Sequence, residues 1–287
     1  MLASDVARAV PAAKAIASSL GLATDDAIVL QNSNKLTLRL LPGDVLARVA
    51  PETDHVARFE MELARRLTEV GCPVAALDPR VAPDVHERDG FAVTLWTHYA
   101  SVAPGEVGDA EYAVALKKLH TGMCRLDVPA PHFTERVARA RSLVADRDRT
   151  PALGDADRRL LGDTLAERCR AITGRGGPEQ LLHGEPHPGN LLATRHGPLF
   201  IDLETVCRGP VEFDLAHAPD AVAAHYPGVD PGLLRDCRIL VLAIIATWRW
   251  DRDDQLPDGH RLGAQWLDRI RAESARGRSA SGPNGRC

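Results

Sequence analysis

Lysine is scarce in this sequence, and paired cysteines, a large excess of one charge and long apolar runs are missing from it, absences that remove several classes of function. Four lysines occur, Lys14, Lys35, Lys117 and Lys118, against 31 arginines. Abundant alanine goes with that bias, which reflects a GC-rich coding sequence, so no single arginine carries weight without its context. A net charge of −4 and a pI near 6.3 leave no electrostatic footprint for nucleic acid or an anionic membrane. The six cysteines, Cys72, Cys124, Cys169, Cys207, Cys237 and Cys287, include no Cys-x-x-Cys spacing. That reads as reduced, mostly buried thiols in a cytoplasmic protein and not as a disulfide framework. The longest apolar run, Ile239 to Trp248, is about half of what a bilayer requires and reads as a core helix. Residues 1–20 carry Asp5, Arg8 and Lys14, the pattern of an amphipathic helix and not of a signal peptide.

What is present is an ordinary globular composition, 45% hydrophobic and 26% charged over 287 residues, enough for one or two domains with a substantial core. Residues 5–20 read as a helix closed by Gly21. Three strands follow, Ala27–Leu30, Leu36–Leu41 and Val45–Ala50, separated by Gln31-Asn32-Ser33-Asn34 and by a Pro42-Gly43-Asp44 turn. From Thr53 to Val70 the period becomes helical, with Val56, Phe59, Leu63 and Leu67 on one face, and Gly71-Cys72-Pro73 ends it. Two more strands are expected at Val74–Leu77 and Phe91–Trp96. After Tyr99 the pattern is helical: 109–123, 136–145, 156–172 with Asp155 as a cap, 231–248 and 261–275. The division is therefore residues 1–97, β-rich; residues 98–275, mainly helical; and a small, polar tail over 276–287 expected to be disordered.

The densest chemistry lies in residues 181–204. His183-Gly184-Glu185 is followed by Asn190 and then Asp202. Between the last two, Leu191-Leu192, a His196-Gly197 turn signal and Leu199-Phe200-Ile201 predict a β-hairpin. Centred on that turn, its register sets Leu191 opposite Asp202, so Asn190 and Asp202 emerge side by side at one end. An amide carbonyl and a carboxylate there make an oxygen-ligand pair suited to Mg²⁺, which takes one or two carboxylates plus substrate phosphates. Glu185, on the loop entering the hairpin, can face a metal-bound phosphate. A zinc cluster of His183, Glu185 and His187 is the rival reading, but the helical i, i+4 face it needs is blocked by Pro186, Pro188 and Gly189.

Residues 183–202 resemble the catalytic and metal-binding segments of the aminoglycoside phosphotransferase family, small-molecule kinases with a protein-kinase-like fold. Gly209-Pro210-Val211-Glu212-Phe213-Asp214-Leu215-Ala216 is similar to that family's Gly-x-x-x-x-Asp-Leu-Ala segment. The resemblance implies a bilobal α+β fold, with a small antiparallel sheet lobe, a larger helical lobe and a nucleotide between them. It also implies an enzyme moving the γ-phosphoryl of ATP or GTP, with Mg²⁺, to a hydroxyl of a small molecule, an antibiotic such as an aminoglycoside being one acceptor class. Asn190 and Asp202 become the metal ligands and Glu185 the catalytic base, where the family usually has aspartate.

On the nucleotide side, Arg48 stands in the third strand where kinases hold a phosphate-binding lysine, with an outward-facing strand arginine as the plain alternative. Glu60 is its expected partner, Glu62 the runner-up. Ser33 and Asn34 lie where protein kinases have a glycine-rich phosphate loop, although a solvated turn explains them equally. Trp96 and His98 fall in the segment resembling the interlobe hinge that binds adenine. Asp214 would brace the catalytic loop. A second function fits the same resemblance: a kinase-fold nucleotide-binding or regulatory protein with little transfer, suggested by Glu185 and Arg48. Asp251, Asp253 and Asp254 form a modest acidic cluster of the kind that could meet a polycationic acceptor, or a solvated loop. Nothing in the sequence specifies an oligomeric state.

Overall fold

The computed structural model describes residues 1–33, 35–52, 56–100 and 107–280. In chain order its elements are α1 (Ala3–Ser19), β1 (Thr24–Asn32), β2 (Leu36–Pro42), β3 (Val45–Pro51), α2 (Val56–Glu69), β4 (His86–Arg88), β5 (Phe91–Thr97), α3 (Asp109–Met123), α4 (Phe133–Ala145), α5 (Asp155–Thr173), β6 (Gln180–Leu182), β7 (Leu191–Thr194), β8 (Gly197–Phe200), β9 (Cys207–Gly209), α6 (Val211–Leu215), α7 (Val222–His225), α8 (Pro231–Trp248) and α9 (Gly259–Ala280). They pack as two units, Met1–Asp127 with Glu185–Val206, and Val128–Gly184 with Cys207–Cys287. Packing thus groups α3 and the β7–β8 hairpin with the strands that precede them.

The first unit is built on a five-stranded antiparallel sheet of order β1-β2-β3-β5-β4. Strand alternation gives the sheet two different faces. Leu36, Leu38, Leu40, Val45, Ala47 and Val49 are fully buried on one of them, in a cluster with Ala9, Ala13 and Ile16 of α1. Small residues at helical spacing let α1 lie close to the sheet. The other face carries Thr37, Leu46 and Arg48, and these line a cavity.

Two sequence expectations change here. The fourth strand is His86–Arg88 and not Val74–Leu77. Asp89 and Gly90, both with positive φ (54° and 83°), form the tight turn into β5 that such a pair favours; the polar His86-Glu87-Arg88 run hid it. Pro73–Leu77 instead runs between β8 and β5. Ala75 N–H donates to the Phe200 carbonyl at 3.0 Å, Phe200 N–H to the Pro73 carbonyl at 2.8 Å, and Thr97 N–H to the Ala76 carbonyl at 2.9 Å. That segment ties the hairpin to the sheet. On α2, the buried residues are Ala57, Glu60, Met61, Leu63, Ala64 and Leu67, so Leu63 and Leu67 face inward as expected while Val56 and Phe59 are only half-buried at the edge of the stripe.

The second unit has a helical core in which Phe133, Leu161, Phe213, Cys237, Leu240 and Ile270 are fully buried. Its β6 pairs antiparallel with β9, Leu182 opposite Cys207. The cap of α5 is Gly154, and Asp155 is the first helical residue, with no side-chain cap hydrogen bond. Asp230 caps α8, accepting from the Gly232 and Leu233 N–H groups at 2.7 and 3.0 Å. α9 continues to Ala280, past the predicted end at 275 and into the stretch expected to be a disordered tail. Cys72, Cys207 and Cys237 are buried free thiols. Among the described residues no helix is long and apolar enough to cross a membrane.

Candidate functional site

The hairpin forms, with a register two residues from the expected one. Leu191 pairs with Phe200 and Thr194 with Gly197, so the turn is Arg195-His196 and not His196-Gly197. The Thr194 hydroxyl holds that turn, donating to the Gly197 carbonyl at 2.7 Å and accepting from His196 N–H at 3.1 Å. Because the shift is even, each side chain keeps its predicted face. Ile201 N–H donates to the Asn190 carbonyl at 3.0 Å, and Asp202 follows at once. Asn190 and Asp202 line the same cavity.

Asp202 leaves the strand in the left-handed region, φ 67° and ψ 64°. Aspartate tolerates this better than most residues. The reversal starts a short 3-10 turn, Leu203–Thr205. Asn190, 9% exposed, donates its side-chain N–H to the Glu185 carbonyl at 3.0 Å, which leaves its Oδ1 as an acceptor. Glu185 is half-buried, in a loop pinned by the Tyr112 hydroxyl donating to the Pro186 carbonyl.

The cavity of about 370 Å³ has a charged floor. Arg48 ion-pairs with Glu60, and its Nη2 donates to Asp202 Oδ1 at 2.8 Å. Glu60 Oε1 also accepts the Leu203 N–H at 3.1 Å. The small neighbours Ala57 and Ala64, three residues before and four after Glu60 on its helix, leave room for this. Burial works against the charge on Arg48, but Glu60 and Asp202 outweigh it and raise its pKa. Glu62 instead is exposed and pairs with Arg65 on its own helix.

Two further charges join this cluster without having been singled out in the sequence. Lys35 Nζ lies 2.5 Å from Glu204 and 3.4 Å from Glu60. Burial disfavours its ammonium, yet Glu60 and Glu204 more than compensate and its pKa is raised. Oxygens of Glu60, Asp202 and Glu204 lie within 4.8 Å of one another, the one such group of three His, Cys, Asp or Glu residues among the described residues. His183, Glu185 and His187 do not form one. His183 is fully buried, and exposed His187 accepts the Gly189 N–H on Nδ1 at 3.0 Å. The signal available for Lys35 was its alternation with Thr37, which strand pairing sets opposite Arg48.

Ser33 lines the cavity, its N–H donating to the Lys35 carbonyl at 3.0 Å; Asn34 lies outside the described residues. Trp96 is 5% exposed, with Nε1 donating to the Thr94 hydroxyl at 2.8 Å, so it is both core and cavity wall. His98 lines the same cavity and contacts Asp44 through Nδ1 at 3.0 Å. The acidic residues 251, 253 and 254 are not a bare acidic face. Asp251 pairs with Arg149, and Asp254 with Arg249 at 3.2 Å.

The sequence profile of the phosphotransferase enzyme family (APH) matches residues 30–238. Among solved structures, the amicoumacin kinase hAmiN in complex with AMP-PNP, Ca²⁺ and Ami superposes with a TM-score of 0.70 at 12% identity, over 95% of this chain and 96% of that one. A choline/ethanolamine kinase family protein from Mesorhizobium loti gives 0.68 at 17% identity, over 95% of each chain. The GDP and kanamycin complex of APH(2")-IIIa gives 0.65 at 17% identity, over 90% of this chain and 97% of that one. These likenesses establish a protein-kinase-like fold. No curated protein matches the sequence.

Proposed function

Because the chain belongs to the phosphotransferase enzyme family, we propose that it transfers the γ-phosphoryl group of ATP or GTP to a hydroxyl of a small molecule. The observation that carries this reading is the meeting of Asn190, Asp202, Arg48 and Glu60 around one cavity, from four separate segments of chain. Asn190 Oδ1 and the Asp202 carboxylate are hard oxygen donors, the set Mg²⁺ takes, and they are the residues that would hold it. A bound Mg²⁺ would neutralise charge on the phosphate oxygens.

The protein groups divide the remaining work. Arg48 offers a fixed guanidinium fork to phosphate oxygens, kept in place by buried Glu60. Glu185 orients the acceptor hydroxyl and takes its proton. The hydroxyl oxygen forms the new bond to the γ-phosphorus as the bond to the β,γ-bridging oxygen breaks, and the nucleoside diphosphate departs. Positioning and charge stabilisation supply most of the acceleration. Ser33 and the segment of Trp96 and His98 flank the nucleotide.

The test is a coupled assay for nucleoside diphosphate release, run with ATP and with GTP over a panel of aminoglycosides, macrolides, choline-like amines and sugars. Acceptor-dependent release is expected from the wild type, with a drop of about 10²–10³-fold in Asp202→Ala, as for loss of a dominant electrostatic group. Release that survives Asp202→Ala unchanged overturns the metal assignment. Glu185 in the base position favours one second reading, a nucleotide-binding protein without transfer. Tight nucleotide binding, no turnover on any acceptor and no effect of Glu185→Ala would establish it instead.

A further inference from the structure

Five charged side chains converge on the cavity side of the sheet: Arg48, Lys35, Glu60, Asp202 and Glu204. Three acids against two bases leave one negative charge in excess. Such a site repels a polyphosphate unless its cations can be aimed at the incoming oxygens. Arg48 is held by Glu60 and Asp202. The other cation is Lys35.

Its position follows from the strand register. Thr37 is paired opposite Arg48, and Lys35, two residues earlier, takes the same face, while Leu36 and Leu38 turn into the core beneath α1. Lys35 is 8% exposed and lines the cavity with Arg48 and Asp202. Lys117 and Lys118 are exposed and Lys14 half-buried, so Lys35 is the buried lysine of a chain that otherwise uses arginine. A lysine differs from arginine in being a compact charge on a freely turning stem, able to change partners. Its two acids differ as well. The Glu60 side chain is 4% exposed and committed to Arg48, whereas that of Glu204 is 28% exposed and can yield its place.

We propose that Lys35 is a phosphate-binding residue: with a nucleoside triphosphate in the cavity, its ammonium exchanges Glu204 for the terminal phosphates and works beside Arg48. The usual phosphate-binding lysine is thereby divided between two strands, a rigid fork on β3 and a mobile ammonium from the start of β2. This inference rests on the phosphotransferase reading.

The first test uses the wild-type chain. ATP carrying an acyl group on its terminal phosphate acylates a lysine that touches that phosphate, and peptide mass spectrometry reads the site. Labelling of Lys35 is expected to exceed that of Lys14, Lys117 and Lys118 by about tenfold, as for a direct charge-assisted contact, and to be suppressed by unmodified ATP. The second test titrates Lys35→Met with adenosine, AMP, ADP and ATP in the presence of Mg²⁺. Affinity should fall about tenfold or more for ATP, consistent with one lost charged hydrogen bond, and stay within about twofold for adenosine. An ATP affinity equal to wild type overturns the inference, and so does an equal loss for all four ligands, which marks a structural ion pair. Should Lys35→Met fail to fold, the labelling alone decides. Wild-type protein that binds ATP but is not labelled at Lys35 sinks the inference and leaves the phosphotransferase reading standing. Wild-type protein that binds no nucleotide sinks both.

Discussion

The carboxylate of Asp214 accepts the backbone N–H of Gly184 at 2.8 Å. Its other oxygen takes the N–H of His183 at 2.9 Å, so a fully buried acid grips the two peptide groups that precede Glu185. Arg136 holds the far side of the same stretch, donating to the Gly184 carbonyl at 3.2 Å. Burial pulls the Arg136 pKa down to about 10, and it stays charged at neutral pH. Asp214→Ala strands two buried amides and is expected to cost about 3–5 kcal/mol, read as a lower urea midpoint. Asp214→Asn, which keeps one acceptor, should cost about 1–2 kcal/mol. An Asp214→Ala variant with the wild-type midpoint would refute the bracing role.

Glu185 tests the chemistry apart from the fold. Glu185→Gln keeps the shape and removes the proton acceptor, so kcat should fall about 10²–10⁴-fold while the Kd for nucleotide stays within about twofold. Glu185→Asp shortens the reach by one methylene and should retain part of the activity. Undiminished turnover in Glu185→Gln would remove this residue from the reaction.

Acid sensitivity should have an identifiable contributor in Asp78, 2% exposed. The Arg80 side chain, with its backbone N–H at 2.9 Å, holds the Asp78 carboxyl below the usual carboxylate range. A carboxylate whose folded pKa is depressed stabilises the fold above its unfolded value of about 3.9 and loses that contribution as pH falls through the folded pKa. Wild type should therefore be more stable than Asp78→Asn at pH 7, the difference shrinking below about pH 4. Urea melts at both pH values check it, and a gap that does not close contradicts it.

Packing in the first unit is probed at Gly122 of α3. A Cβ there would stand 2.0 Å from Cys72 Sγ, so Gly122→Ala should destabilise by about 1–3 kcal/mol through overpacking. Adding Cys72→Ala removes the obstructing sulfur and should restore most of the loss. Thermal melts of the single and double variants measure both, and a single variant as stable as wild type rules the contact out.

Much of this was legible along the chain because it is local. Helical period gave α3 its observed limits, Gly71-Cys72-Pro73 ended α2, and the apolar runs on either side of residues 195–197 identified a hairpin that brings Asn190 and Asp202 to one cavity. Glu60 could be named because aligning the end of α2 with its equivalent in the family it resembles places a glutamate there. The register error had a local cause too: Arg195-His196 turns the hairpin because Thr194 staples it, a contact that composition does not announce.

By itself, then, the sequence determined most of the strands and helices, their order and the family, since these depend on neighbours within a few residues, while the Asp89-Gly90 and Arg195-His196 turns escaped it. Apart from the expected pairing of Arg48 with Glu60, tertiary structure alone decided which charges face one another. Asp202 meets Arg48 across 154 positions, Pro73–Leu77 lies between two strands instead of forming one, and Lys35 joins Glu204 from another segment. A buried charge takes whichever opposite charge packing brings within reach, because leaving it unpaired costs several kcal/mol, and that choice is made by the sheet, not by distance along the chain.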